Sequence, residues 1–164
     1  MTKPTIHPQT TIGHVHLSVS DLDRAERFYT EILGFKVTER FGDEVVFMSA
    51  GGYHHHIAIN TWEGKNAKPR PPGTTGVYHS AILLPNRLEL ARVVKRLMDH
   101  GVAIDGASDH TVSEAVYFRD ADGNGVELCV DRDASKWVDE DGRIKLTVEP
   151  LDLDSLLSEL SANS

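Results

Sequence analysis

The sequence predicts an α+β fold built from two similar βαβββ modules, whose strands form a curved mixed sheet with the helices on its outer side. Three observations support this prediction. A strand, a helix and three further strands occur twice in that order, each helix ends at a glycine, and a proline-rich stretch separates the two copies. A length of 164 residues is typical of one domain, so we expect a single domain over residues 1–164.

Module one covers about residues 10–62. Its alternating segment Ile12–Val19 predicts a strand, and a helix follows from about Asp21, which can cap the helix N-terminus. Gly34 closes this helix. Three strand-like runs come next, separated by glycine turns, at residues 35–40, 44–49 and 54–60.

A linker over about residues 63–75 contains three prolines and leads to module two, about residues 76–132. This module repeats the order of the first. Its elements are a strand at 77–84, a helix capped by Asn86 and ended by Gly101, and strands at 102–105, 113–118 and 125–130. In the C-terminal extension, residues 133–164, we expect a short ninth strand at 144–148 and an amphipathic helix at 151–160.

Composition excludes several classes of function. The chain has 17 Lys and Arg against 25 Asp and Glu, a formal charge of −8, which argues against binding nucleic acid or an anionic membrane. No apolar run approaches roughly 20 residues, and we expect no secretory signal because residues 1–10 contain no apolar stretch. Cys129 is the only cysteine, which excludes an intramolecular disulfide and a thiolate zinc cluster. We therefore expect a cytoplasmic protein.

Nine histidines are the unusual feature of this composition. Strand alternation places His14 and His16 on the concave face of the sheet, and His79 lies near the start of the equivalent strand of module two. Glu127 lies on the last strand between Val126 and Leu128, and such a carboxylate is costly to bury unless it is paired or bound to a metal. His7 and His100 are interpreted as surface residues. A single histidine in a strand is usually structural. The interpretation as a metal site therefore depends on the equivalent positions of these residues in the two modules.

The corresponding strand of module one begins with the triplet His54-His55-His56. Ile57 and Ile59 mark its apolar face, which assigns His54 and His56 to the concave face and His55 to the opposite one, unless the preceding glycine turn leaves a bulge. Two imidazoles and one carboxylate in a concave cup suit a divalent metal such as Fe(II), Mn(II), Ni(II) or Zn(II).

Several segments of this chain resemble the vicinal oxygen chelate superfamily, which includes glyoxalase I, bleomycin-resistance proteins and type I extradiol dioxygenases. The resemblance covers about residues 12–132 and depends on His14–Leu22 with Phe28-Tyr29, and on Phe118–Leu128. Within the superfamily, the chain is most similar to catechol 2,3-dioxygenase-like proteins. This closer similarity involves residues 49–62, 106–117 and 149–153.

The resemblance implies an oxidoreductase of the extradiol dioxygenase type that uses Fe(II) and O2 on a small catecholic or related aromatic compound. Its implied metal ligands are His14, His79 and Glu127. His14 is preferred to His16 because the family ligand lies seven residues before the helix-start aspartate, here Asp21. The implied catalytic residues are the base His55, with His54 or His56 as alternatives, Tyr117 as a hydrogen-bond partner of the substrate, and the pocket residue His110.

Two other functions compete with this interpretation. A glyoxalase-type isomerase usually takes a carboxylate ligand from the last strand of the first module, where this chain has His56. A metal-free small-molecule binding protein of the resistance type commonly lacks the ligand set that is present here. The sequence leaves open the substrate, the metal, a homodimeric state, and whether the modules pair within one chain or between subunits.

Overall fold

Residues 3–162 are described by a computed structural model of the chain. Both predicted βαβββ modules are present within them, which confirms the α+β class. The strands form one four-stranded and one five-stranded sheet.

The first module forms the four-stranded sheet, with strand order β1-β4-β3-β2. Asp21 caps the first helix by accepting a hydrogen bond from the backbone N–H of Arg24, and the chain turns out of the helix at Gly34, where φ is 91°. Strand β1 runs parallel to β4, and the other pairs are antiparallel. The elements are β1 Val15–Ser18, α1 Leu22–Arg27 with a π-helical continuation Phe28–Ile32, β2 Lys36–Phe41, β3 Val45–Ser49 and β4 Ile57–Asn60.

The second module forms the five-stranded sheet, with strand order β5-β8-β7-β6-β9. Asn86 caps its helix through the backbone N–H of Glu89. The elements are β5 Ser80–Leu84, α2 Arg87–Asp99, β6 Ile104–Asp109, β7 Ser113–Arg119, β8 Gly125–Asp131, β9 Glu149–Pro150 and the C-terminal helix α3 Leu153–Ala162.

The single curved sheet expected from the sequence is two separate sheets within this chain. Strands β1 and β5 are edge strands, and neither pairs with the other module. An apolar cleft of about 480 Å³ lies between them, lined by His14 and Val15 on one side and by Ser80 and Ile82 on the other. The two strand edges therefore stand apart across a gap instead of forming a continuous ladder.

Several predicted strands have different limits in the structure. The runs at 12–19 and 77–84 are strands only over Val15–Ser18 and Ser80–Leu84. The run at 54–60 becomes a strand only at Ile57, because the turn at Gly51-Gly52 extends through the histidine triplet. The run at 102–105 begins at Ile104 and continues to Asp109. The ninth strand is Glu149–Pro150, paired with β6, while residues 144–148 cross the surface with Ile144, Leu146 and Val148 exposed.

Buried side chains from both modules and from α3 form one hydrophobic cluster. The modules are also joined by polar contacts. The buried hydroxyl of Tyr29 donates to Asp120, and the Arg96 guanidinium donates to the carbonyls of Ile32 and Leu33. These contacts fix the orientation of one module against the other. Among the described residues, no helix is long and apolar enough to cross a membrane.

Candidate functional site

His79 and Glu127 lie together on the exposed face of the second sheet. Glu127 alternates with Val126 and Leu128, which are buried in the core, so its carboxylate points to the other side of β8. His79 directly precedes β5, the parallel neighbour of β8. Its Nε2 lies 2.8 Å from Oε2 of Glu127, with the side chains 32% and 13% exposed. Nδ1 of His79 is buried and has no hydrogen-bond partner among the described residues.

Gly125 allows His79 to lie this close to Glu127. The sequence pattern did not identify this role of Gly125. A Cβ added at Gly125 would lie 2.2 Å from the carbonyl oxygen of Tyr78 and 3.1 Å from Cβ of His79. Any side chain here would push the start of β5 away from β8. The glycine immediately before the alternating strand was the available signal, since glycine in a strand often marks a close backbone approach.

Tyr117 stands opposite Glu127 in the β7–β8 ladder, and its phenol contacts His110. Nδ1 of His110 lies 2.7 Å from the carbonyl oxygen of Thr147, which can only accept, so Nδ1 carries the proton. Nε2 then accepts from the Tyr117 hydroxyl at 2.8 Å. Burial raises the pKa of Tyr117, and the negative charge of Glu127 adds to this effect. The phenol is therefore neutral and directed by a histidine of fixed tautomer.

His14 lies on the first sheet, in a separate group of aromatic side chains. Its ring centroid is 4.4 Å from that of His55, which also packs edge-on against Phe47. Nδ1 of His55 is 2.8 Å from Nδ1 of His54. Burial and then the neighbouring His14 and His54 lower the pKa of His55, which favours a neutral imidazole.

His16 is on the same face as His14 but is held differently. Oδ1 of Asn60 accepts from the backbone N–H of Trp62, which turns its amide nitrogen toward Nε2 of His16 at 2.9 Å. Nε2 of His16 therefore accepts a hydrogen bond and does not offer its lone pair to a metal. The sequence pattern alone does not assign this role to Asn60, which depends on the side-chain contacts.

His56 is turned toward the glycine turn. Its Nδ1 accepts from the backbone N–H of Ala50 and lies 3.0 Å from the buried hydroxyl of Ser49. These bonds stabilise the turn that delays the start of β4. The triplet lies before the strand, so strand alternation does not determine which way its side chains point. The imidazole of His56 was expected to face the concave cup, but it contacts Ser49 and Ala50 in the turn.

The structure brings two of the three predicted metal ligands together. His79 and Glu127 are in contact, whereas the aromatic contact of His14 is with His55. Across residues 3–162 there is no group of three or more His, Cys, Asp and Glu side chains that could hold a metal ion. The predicted site is therefore divided into two parts, one on each sheet. The first-sheet part contains His14 and His55, and the second-sheet part contains His79, Glu127, Tyr117 and His110.

Comparison with known proteins finds several that are similar to this chain. The catechol-2,3-dioxygenase of Bacillus subtilis (strain 168) is 40% identical over 157 residues, which cover 94% of this chain and 54% of the relative. The chain thus spans about half the length of that relative. Biphenyl-2,3-diol 1,2-dioxygenase 3 of Rhodococcus globerulus is 29% identical over 131 residues, covering 80% of this chain and 67% of the relative.

Among solved structures, a glyoxylase/bleomycin resistance protein/dioxygenase domain from Frankia sp. EAN1pec matches with a TM-score of 0.63 and 27% identity. The match covers 75% of this chain and 98% of that domain. The family model described as Glyoxalase/Bleomycin resistance protein/Dioxygenase superfamily matches residues 11–128, which include most of both modules. Since this match spans most of the sequence, the chain belongs to the glyoxalase/bleomycin resistance protein/dioxygenase superfamily.

Proposed function

We propose that this chain is an extradiol-type dioxygenase that uses O2 to cleave the ring of a small catecholic compound. The observation that carries the proposal is the contact between His79 and Glu127 beside a neutral, oriented Tyr117. The 40% identity to a catechol-2,3-dioxygenase over most of this chain supports the substrate class.

The donor chemistry fits a divalent metal. Nε2 of His79 lies 2.8 Å from a carboxylate oxygen of Glu127, and His14, in the part of the site on the first sheet, has a second imidazole that makes no hydrogen bond among the described residues. We propose His14, His79 and Glu127 as ligands of Fe(II). These residues would hold the metal, which when bound would supply a place for a catechol and O2 to meet.

The remaining groups act on the protons and the orientation of the substrate. With Nδ1 directed at His54, His55 can use Nε2 to take a proton from a catechol hydroxyl, since its lowered pKa keeps it neutral near pH 7. Tyr117 orients a substrate oxygen through its hydroxyl, and His110 sets the direction of that hydroxyl. His56 contributes by holding the turn that carries His55.

The test is oxygen uptake by the purified chain after anaerobic loading with Fe(II). We expect consumption of one O2 per catechol, and loss of both activity and bound iron in Glu127→Gln. His100→Gln is the matched control, because His100 is an exposed residue at a helix end whose imidazole contacts the carbonyl of Arg96, far in sequence from the proposed ligands. Iron-loaded chain that consumes no oxygen with any catechol but isomerises a hemithioacetal of glutathione would replace the proposal with a glyoxalase function.

A further inference from the structure

Thr147 joins the C-terminal extension to the part of the site on the second sheet. It lies in the segment that crosses the surface before β9, which pairs with β6. The backbone N–H of Thr147 donates to the carbonyl of His110 at 3.2 Å, and the carbonyl of Thr147 lies 2.7 Å from Nδ1 of the same histidine. The hydroxyls of Thr147 and Thr111 are 2.7 Å apart. One exposed residue therefore contacts the backbone of His110, its ring and the residue that follows it.

Thr111 has a backbone conformation that threonine rarely adopts. Its φ is 67°, in the left-handed region, where glycine is unstrained and a β-branched residue is an outlier. Thr111 lies in the turn between β6 and β7, where the backbone N–H of His110 donates to the carbonyl of Ser113 at 2.8 Å. A relaxation of this turn would therefore move His110, the immediate neighbour of Thr111.

Backbone strain of this kind persists only where surrounding groups hold the residue in place. Two groups hold Thr111. Its backbone N–H donates to Oδ1 of Asp109 at 2.8 Å, within the hairpin itself, and its hydroxyl contacts Thr147, which is 36 residues away in sequence. A strained residue beside a site residue, held by a distant part of the chain, indicates that the position of His110 matters to the site.

The position of His110 decides which of its ring nitrogens carries the proton. With Nδ1 against the Thr147 carbonyl, Nε2 accepts from the Tyr117 hydroxyl at 2.8 Å. If the ring moved away from that carbonyl, either nitrogen could carry the proton, and the form protonated at Nε2 cannot accept from Tyr117. The phenol would then lose the acceptor that directs it.

We propose that Thr111 and Thr147 are positioning residues of this site. Their paired hydroxyls hold the strained turn, the turn holds the His110 ring against the Thr147 carbonyl, and His110 directs the Tyr117 hydroxyl toward the substrate. The catalytic consequence rests on the proposed dioxygenase function. The tautomer of His110 is a property of the metal-free chain and is measured separately.

Thr147→Val tests the proposal, because it removes the hydroxyl, keeps the carbonyl and leaves no cavity at an exposed position. The NMR chemical shifts of the two ring nitrogens of His110 report its tautomer in the metal-free chain. We expect the proton on Nδ1 in the wild type and in Thr147→Ser, which keeps the hydroxyl, and a mixture of tautomers in Thr147→Val. Thr74→Val is the matched control, because Thr74 is also exposed and its hydroxyl donates to the carbonyl of Pro71 in the linker.

In the iron-loaded chain we expect Thr147→Val to lower kcat for catechol by about 10–100-fold, the cost of a misplaced group, with little change in KM. Thr111→Gly should give the same mixture of tautomers, since glycine lets the turn relax, and it replaces Thr147→Val if that variant does not fold. An unchanged tautomer, or an unchanged kcat beside mixed tautomers, would overturn the inference. A lower unfolding temperature with wild-type tautomer and kcat would mean that the hydroxyl only anchors the C-terminal extension. Mixed tautomers in Thr147→Val, together with a wild type that consumes no oxygen with any catechol, would overturn the proposed function and leave the hold on His110 standing.

Discussion

The hydrogen-bonding state of an imidazole decides whether it can bind a metal, and His14 and His16 differ in this respect. Nε2 of His16 accepts from the amide of Asn60, whereas His14 contacts the His55 ring and makes no hydrogen bond among the described residues. We expect His14→Gln to weaken Co(II) binding by more than the roughly 10–100-fold that loss of a supporting residue costs. His16→Gln should retain binding within about tenfold. Titration calorimetry measures both, and equal losses would argue against the distinction.

Gly125 positions His79 because it has no side chain. An alanine there would meet the Tyr78 carbonyl and displace His79 from Glu127. We therefore expect Gly125→Ala to weaken Co(II) binding by about 10–100-fold, the range seen when a ligand loses its positioning. Gly106→Ala is the matched control, because an added Cβ would meet only a ring carbon of Tyr117 at 3.9 Å. Unchanged affinity in Gly125→Ala would mean that the pair does not need this close approach.

At the scale of elements, the first helix is joined to the β7–β8 hairpin by the bond from Tyr29 to Asp120. Asp120 also accepts from the backbone N–H groups of Asp122 and Asn124, so one buried carboxylate holds both the turn and the helix. We expect Tyr29→Phe to lower the free energy of unfolding by about 1–2 kcal/mol, since it removes one bond to a charged acceptor that keeps others. Urea unfolding at pH 7 measures this; no change would show that the bond adds nothing.

The hydrogen bond between Tyr29 and Asp120 also predicts that the free energy of unfolding falls at alkaline pH. Burial, and then the charge of Asp120, raise the pKa of Tyr29 well above its usual value of 10.0. The stabilisation is complete below about pH 10 and declines at higher pH, because the unfolded tyrosine loses its proton while the folded one retains it. The difference in unfolding free energy between wild type and Tyr29→Phe should therefore stay constant up to about pH 9 and shrink as the pH rises above about 10. A constant difference above about pH 10 would contradict the raised pKa.

The sequence predicted an element correctly where local interactions determine it, and failed where contacts with other parts of the chain determine it. Alternation around Glu127 predicted its face correctly, because Val126 and Leu128 are buried within the same strand. The strand through His54 and His56 was wrong at its start, because side-chain bonds from His56 to the turn override alternation there. The relation of His14 to His79 was beyond prediction, since periodicity assigns faces within a module and contains nothing about how modules meet.

At the scale of the whole molecule, both modules and helix α3 contribute side chains to one hydrophobic cluster. The hydrogen bonds from Tyr29 to Asp120 and from Arg96 to the carbonyls of Ile32 and Leu33 also cross between the modules. Because neither module can lose its share of this cluster without exposing the share of the other, we expect the metal-free chain to unfold in one cooperative transition. Differential scanning calorimetry measures this, and the calorimetric and van't Hoff enthalpies should agree. Two resolved transitions would show that the modules unfold independently.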